Sequence, residues 1–276
     1  MTYPAEPPWL QHHLHLADPG ATEALAAQYL GPALTSLEEA GVVAAWHFLR
    51  KGDRWRLRYL LTAPDGASAV DAMLKQCREA AMVTAWTPVI YEPETLAFGG
   101  AEGIVVAHRL FHRDSRQILA YLRTIRSEQL SDQRAELSVL LGTAMMRGAG
   151  LDWYEIGDTW AKVAVHRPPT RDSGPSMRLR NAVGILLRTD TDSASALLNR
   201  GQLSFAREWF TAFTDCGRTL RELAEAGRLH RGLRVILAHH HLFHSNRLGL
   251  SHQQQALLAE AATTTVLDLN PEPEAT

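Results

Sequence analysis

Cysteine is scarce in this sequence, and its placement argues against a structural role for thiol chemistry. Only Cys77 and Cys216 occur among the 276 residues, and they lie far apart. Two isolated cysteines exclude a disulfide-stapled scaffold and a cysteine-based metal site. We therefore expect two reduced, buried thiols.

The sequence also lacks long apolar runs and an excess of one charge. The formal net charge is −2, which excludes an overall basic surface for direct nucleic-acid binding. No run approaches the length of a membrane span, and the N-terminal MTYPAEPPW has no apolar segment of signal-peptide type. These absences predict a cytoplasmic protein that contacts neither nucleic acid nor membrane.

The first half of the chain predicts an α+β arrangement with a small, mostly antiparallel sheet and flanking helices. Strand patterns cover Trp9–Leu16, Val42–Arg50, Arg54–Leu61 and Val83–Tyr91. Helical patterns cover Ala21–Tyr29, Pro32–Ala40, Ala67–Met82, Ala101–His112 and, after a cap at Asp114–Ser115, Arg116–Thr124.

The second half predicts helices almost exclusively. Ser131 is expected to cap a helix through Arg147. The pairs Asp152 with Glu155 and Ser251 with Gln254 each form the pattern of a capping box at the start of a helix. We assign an α+β portion to residues 9–125 and a helical portion to residues 131–268. Because the junction near Arg126–Ser131 lacks linker composition, we expect a single domain that forms one compact unit.

A proline-acid corner follows the fourth strand. Pro93 prevents regular ladder pairing, so the strand must end before it, and Gly99–Gly100 permit a bend that side chains would block. Tyr91, Glu92 and Glu94 therefore lie at a strand end beside a helix N-terminus, a location where α/β proteins tend to bind ligands.

The third strand, RWRLRYLL, carries arginines at every second position. Strand periodicity places Arg54, Arg56 and Arg58 on one face of the sheet. Such a face is either solvated or anion-binding, and the planar guanidinium fork suits recognition of carboxylates.

Histidines are concentrated in the segment RLHRGLRVILAHHHLFHSNRLGL, which predicts a helix over Arg231–Asn246. His240 and His244 share a face, but the segment lacks the His-Glu-x-x-His pattern of a zinc protease, so we expect no metal. Two alternatives are predicted for this segment. Either the histidines pack against other helices, or His244 serves as an acid–base group.

These residue types together suit two kinds of activity. Arginines can hold a carboxylate, the acids can orient them or act as a base, and a histidine can transfer a proton. The set suits removal of a proton next to a carbonyl followed by loss of an anion, and it equally suits simple binding of an acidic peptide. The sequence contains no phosphate-binding loop, nucleophile elbow or dinucleotide fingerprint.

Four stretches, in order and at similar spacing, resemble one family: WHFLRKGDRWRLRYLL, YEPETLAFGG, AHRLFHRDS and HLFHSNRLGL. They are similar to the thiopeptide-type bacteriocin biosynthesis family, which is homologous to the C-terminal elimination domain of class I lanthipeptide dehydratases. The resemblance covers the chain from Trp9 to about Val266.

This resemblance implies action on the leader and core of a ribosomally made precursor peptide, without a cofactor. Elimination members act after a separate subunit has glutamylated Ser or Thr from glutamyl-tRNA, and they expel glutamate to leave dehydroalanine or dehydrobutyrine. Other members join two dehydroalanines by a formal [4+2] cycloaddition that forms a pyridine and releases the leader. A third hypothesis is that the chain is a non-catalytic subunit that binds the precursor peptide. Relatives often associate, so a homodimer is also expected.

Residue by residue, the resemblance implies catalytic roles for Arg56, Arg58, Glu94 and His244. It leaves Arg54, Tyr91, Glu92, Asn246 and Arg247 as expected substrate-binding residues. One departure matters, because elimination domains carry an arginine three residues after the glutamate and this chain has Ala97. Either another arginine, such as Arg54 or Arg247, supplies that cation, or the chain does not perform this elimination.

Overall fold

Four antiparallel strands form the sheet that the alternating segments predicted. The computed structural model describes residues 9–52, 54–129, 131–169 and 174–267. Its strands are β1 (Leu10–Leu16), β2 (Val43–Lys51), β3 (Arg54–Leu61) and β4 (Val83–Val89). They pair in the order β2-β3-β1-β4, so β2 and β4 are the edge strands and β1 lies in the interior.

Eleven α-helices occur among these described residues. They are α1 (Pro19–Leu25), α2 (Gly31–Glu39), α3 (Ala67–Glu79), α4 (Ala101–Ser127), α5 (Arg134–Gly148), α6 (Trp153–His166), α7 (Met177–Arg188), α8 (Ala196–Asn199), α9 (Arg207–Glu225), α10 (Leu233–Leu248) and α11 (His252–Leu267). An antiparallel sheet in the first half and helices in the second confirm the predicted α+β class. The first eight residues and residue 268 of the expected helical portion lie outside the described residues.

Tertiary contacts group the chain into two units. The first, here called the sheet unit, comprises Met1–Pro93 and Phe111–Asp132, and the second, the helical unit, comprises Glu94–Leu110 and Gln133–Thr276. The change at Asp132 lies close to the junction expected near Arg126–Ser131. The changes at Pro93 and Leu110 were not anticipated, because they depend on contacts distant in sequence.

One face of the sheet forms the core of the sheet unit. Leu14, Phe48 and Trp55 are buried there, and the rings of Phe48 and Trp55 stack with centroids 4.6 Å apart. The outer edge of β2 is not left open, because the backbone N–H of Phe48 donates to Ser115 Oγ of α4 at 3.3 Å. Satisfying an edge strand in this way protects it from pairing with other chains.

That hydrogen bond explains one wrong prediction. Asp114 and Ser115 were expected to start a new helix, but α4 runs without a break from Ala101 to Ser127. Both side chains are completely buried, and the Ser115 hydroxyl serves β2 instead of capping a helix. A local capping signal was overridden by a tertiary contact.

The first helices also differ from their predicted form. A π-helical turn over Ala26–Leu30 joins α1 to α2, where two separate helices were expected. Pro32 has no N–H to donate to the carbonyl four residues earlier, so a wider turn at this point accommodates it.

The helical unit has its own core around Trp160, which is completely buried. The capping box of Asp152 and Glu155 is confirmed, as is the cap formed by Ser251 and Gln254. Ser131 does not act as the cap of α5, since that helix begins at Arg134 after Gln133. No described helix is long and apolar enough to cross a membrane.

Candidate functional site

One face of the sheet carries polar side chains from all four strands. The registers pair Arg58 with Gln11, Arg56 with His13 and Arg54 with His15, and they pair Arg58 with His47 on the other side. We call this surface the basic sheet face, and define it by Gln11, His13, His15, His47, Lys51, Arg54, Arg56, Arg58 and Thr87. None of the four strands contains Asp or Glu, so positive charge on this face meets no acid from the strands themselves.

Arg58 is held firmly in the sheet unit. Its side chain is 2% exposed, and its Nε donates to Gln11 Oε1 at 2.7 Å. The guanidinium carbon lies 4.2 Å from the ring centroid of Tyr91, a stacked cation–π contact. The structure therefore brings together the predicted residues Arg58 and Tyr91, and it fixes the guanidinium plane before any ligand binds.

The arginines differ in exposure along the strand. Arg54 is exposed, Arg56 is partly buried and Arg58 is buried. The series leads from solvent toward the interior, and Arg56 combines access with a partly desolvated environment. Access lets an anion reach Arg56, and partial desolvation strengthens the charge-assisted hydrogen bond that the anion would accept.

Burial and neighbouring positive charge both act on the pKa of His13 on this face. Burial lowers the pKa of His13, and the charges of Arg56, Arg54, His15 and Arg58 lower it further. The neutral imidazole is thus favoured at neutral pH, and an anion bound near His13 would relieve the same repulsion.

An aromatic group surrounds His47, which is 1% exposed. Its ring centroid lies 5.0 Å from that of Trp9, 5.4 Å from Phe111 and 6.3 Å from Tyr91. Sequence reasoning missed His47 and Gln11 as site residues. Strand periodicity alone places each on some face, but only the inter-strand register places them beside Arg58.

The proline-acid corner is divided between the two units. Tyr91 and Glu92 belong to the sheet unit, where Glu92 is exposed, and Glu94 begins the helical unit. The Glu94 carbonyl accepts the backbone N–H groups of Ala97 and Phe98, which forms a tight turn before α4.

The predicted bend at the two glycines is confirmed. Gly99 and Gly100 have φ of +91° and +108°, a region that favours glycine. A Cβ on Gly99 would lie 2.5 Å from Ile236 Cδ1, and the Gly99 carbonyl accepts from the His230 backbone at 2.9 Å. Close packing against the start of α10 therefore fixes the turn that carries Glu94.

The turn at Ala97, where the family pattern has an arginine, is contacted by an arginine from elsewhere in the chain. Nη1 of Arg231, a residue with an exposed side chain, donates to the carbonyl of Ala97 at 3.3 Å. The two residues are 134 positions apart, so sequence reasoning could not connect them.

The α10 histidines lie inside the helical unit. His244 is completely buried, with its ring 4.8 Å from that of Phe213 and 5.9 Å from that of Trp209. His241 contacts Trp160 at 4.4 Å, and its Nε2 lies 3.3 Å from the Ser245 hydroxyl. This packing agrees with the structural alternative for these histidines, and the acid–base role of His244 stays a prediction.

His240 is the most perturbed histidine among those with a resolved shift. Burial lowers its pKa to about 3, and the positive charge of Arg247 is the next cause. Arg247 is itself completely buried on the same helix. His240 is therefore neutral throughout the physiological pH range and is unsuited to donating a proton.

Asn246 has a structural task in the helical unit. Its Oδ1 accepts from Gln255 Nε2 at 3.0 Å and from Arg167 Nη2 at 3.2 Å, which ties α10 to α11. A role in binding substrate would add to this task and stays a prediction. Among the described residues, no group of three or more His, Cys, Asp and Glu side chains is arranged to hold a metal ion.

The fold and these motifs define a class. Residues 9–266 match the family described as Lantibiotic biosynthesis dehydratase C-term, and the chain belongs to that family. The resemblance inferred from the sequence is therefore confirmed.

Solved structures share the fold at low sequence identity. The tRNA-dependent lantibiotic dehydratase MibB from Microbispora sp. 107891 superposes with a TM-score of 0.69 at 19% identity, over 97% of this chain but 29% of MibB. TsrL gives a TM-score of 0.60 at 18% identity, covering 96% of this chain and 100% of TsrL. TbtD, the pyridine synthase from thiomuracin biosynthesis, gives 0.66 at 16% identity, covering 95% and 98%. No curated protein is significantly similar in sequence.

Proposed function

We propose that this protein matures a ribosomally made precursor peptide by eliminating glutamate from glutamylated Ser or Thr. The observation that carries the proposal is the basic sheet face, where three arginines lie on one face of the sheet with no acid from the strands. In the reaction, a base removes the Cα proton, the Cβ–O bond breaks, a carbon–carbon double bond forms and glutamate leaves as a carboxylate. A leaving carboxylate is a group that a guanidinium fork binds well.

Roles follow for the individual residues. Arg56 and Arg58 hold the carboxylate, and Tyr91 keeps Arg58 in position through the stacked contact at 4.2 Å. The family resemblance assigns proton transfer to Glu94 and His244. A single variant tests each assignment. Peptide binding and glutamate release are measured independently, so a binding role and a catalytic role give different results.

Arg231 offers an answer to the departure at Ala97. Its guanidinium already donates to the Ala97 carbonyl, so positive charge is present at this turn although the expected arginine is missing from the sequence. We assign Arg231 the role of that cation. Exposure leaves the rest of its fork accessible to a ligand.

The proposal implies partners. The substrate is the precursor peptide with its leader and core, and a separate glutamylating subunit supplies the adduct and contacts the tRNA. No cofactor enters the reaction, and a homodimer is compatible with it.

Purified protein mixed with a glutamylated, leader-bearing precursor tests the proposal by mass spectrometry. We expect loss of glutamic acid and formation of a dehydroamino acid. An unchanged mass at complete peptide binding would remove the elimination assignment.

A second candidate is the [4+2] cycloaddition. It is favoured by Ala97 and by the likeness to the pyridine synthase TbtD, which extends over 95% of this chain. A peptide that already bears two dehydroalanines would then yield a new pyridine absorbance and a released leader. The third candidate, a non-catalytic subunit, predicts leader binding without turnover of either substrate.

A further inference from the structure

A cavity of about 270 Å³ lies between α2 and α4 in the sheet unit, with Trp46 of β2 in its wall. It is separate from the basic sheet face. Strand alternation points Trp46 to the face opposite its neighbour His47, and His47 pairs with Arg58. A ligand in this cavity would therefore not occupy the basic sheet face.

Two arginines on α4 form one wall of the cavity. Arg116, Ala120 and Arg123 are spaced four and three residues apart, so they share a side of the helix, and the small Ala120 leaves space between the arginines. Arg116 is paired with Glu38 at 2.9 Å. Arg123 has no hydrogen-bond or ion-pair partner among the residues that the structure describes.

Hydroxyl groups face this wall from α2. Thr35 and Ser36 line the cavity, and within the described part of the chain neither side chain makes a hydrogen bond. One unpaired guanidinium and two hydroxyls supply donors for a single negative charge. Arg116 is already neutralised by Glu38, so among the described residues that line the cavity only Arg123 would face the ligand as a free positive charge. This favours a monoanion over a dianion.

The remaining lining is apolar and tightly built. Leu119 and Ala27 contribute to it, and Gly31 approaches α4 so closely that a Cβ would lie 3.1 Å from Leu119 Cβ. The π-helical turn directly precedes Gly31, and such turns often occur at functional sites. An apolar lining beside a cationic rim suits a ligand with a short aliphatic body and one anionic end.

We propose that this cavity binds a carboxylate attached to a small aliphatic residue, either a free amino acid or the C-terminal residue of a peptide. Arg123 holds the carboxylate, Thr35 and Ser36 complete its hydrogen bonds, and the accessible lining residues Pro32 and Ala120 contact the aliphatic part. The proposal does not depend on the elimination chemistry, and its test requires no turnover.

Nuclear magnetic resonance of the ¹⁵N-labelled full chain provides the test. The indole N–H of Trp46 is the reporter, assigned with Trp46→Phe, because it donates to Glu38 beside the cavity. The probes are N-acetyl-L-alanine as a peptide terminus, L-alanine as a free amino acid, and N-acetyl-L-alaninamide, which lacks the carboxylate. We expect saturable shifts with a carboxylate probe and none with the amide, and the tighter carboxylate probe identifies the source.

Three variants distinguish binding at a specific site from non-specific attraction of the anionic probes to positive charge. Arg123→Ala should weaken binding by roughly tenfold or more, the effect of losing a charge-assisted bond. Ala120→Leu should block the cavity without changing the charge. Arg126→Ala, an exposed arginine on the same helix outside the cavity lining, should leave affinity unchanged. Absence of saturation, equal binding of the amide, or retained affinity in Ala120→Leu would overturn the proposal.

Discussion

Arg58→Met is the substitution that best separates function from folding in the sheet unit. Methionine keeps an unbranched side chain but removes the 2.7 Å bond to Gln11 and the stacked contact with Tyr91. Those contacts are worth about 1.5–3 kcal/mol and about 0.5–2 kcal/mol respectively. Removing the buried charge offsets much of that loss, because desolvation of an arginine costs several kcal/mol.

We therefore expect stability to change little while catalysis falls. The free energy of unfolding should shift by no more than about 2 kcal/mol, since the lost contacts and the avoided desolvation oppose each other. By contrast, kcat/KM for glutamate release should fall by at least roughly tenfold, since a charge-assisted bond to the leaving carboxylate is lost. Denaturant titration measures the first quantity, and mass-spectrometric rate assays measure the second.

Arg50→Met is the matched control. Arg50 also lies on a strand and over an aromatic ring, with its guanidinium carbon 4.8 Å from Trp55, and it pairs with Glu23 at 2.5 Å. It points away from the basic sheet face, so we expect kcat/KM to be unchanged. Retained turnover in Arg58→Met, or an equal loss in both variants, would refute the role assigned to Arg58.

The remaining predictions concern the helical unit. Burial, followed by the charge of Arg247, lowers the pKa of His240 to about 3. Below pH 6.5 the unfolded chain binds a proton at this histidine and the folded chain does not. The contribution of His240 to the free energy of unfolding is therefore constant above pH 6.5 and falls as the pH approaches the folded-state pKa, by about 3 kcal/mol at pH 4.5. His240→Phe should remove most of this acid sensitivity in denaturant titrations at pH 7 and pH 4.5, and an unchanged pH dependence would contradict it. Gly99→Ala should lower the melting temperature more than Gly227→Ala, because both have positive φ but only Gly99 also meets Ile236. An equal decrease in melting temperature for the two variants would contradict the prediction that Gly99 is held by close packing against Ile236. Arg231→Ala should reduce glutamate release roughly tenfold with a stability change below about 0.5 kcal/mol, and unaltered release would exclude it as the cation at Ala97.

Features set by local periodicity could be predicted from the sequence. The alternation in RWRLRYLL placed Arg54, Arg56 and Arg58 on one face, and the structure confirms it through their pairing with β1. The caps at Asp152 and Ser251 were also found, because a capping pattern involves residues only three positions apart.

Features set by long-range contacts could not be predicted. The placement of Gln11 and His47 beside Arg58 depends on strand registers that span 47 and 11 residues of sequence. The unbroken α4 depends on Ser115 bonding to β2, and the cation at Ala97 comes from Arg231 on a distant segment. In each case the decisive partner is invisible to a local pattern.

The central claim, that the basic sheet face binds the carboxylates of a glutamylated peptide, is tested most directly by affinity. Isothermal titration calorimetry would compare glutamylated and unmodified precursor peptide on wild-type protein and on Arg56→Met. We predict that wild type binds the glutamylated peptide at least roughly tenfold more tightly, and that this preference disappears in the variant. Equal affinities in wild type, or an undiminished preference in Arg56→Met, would contradict the claim.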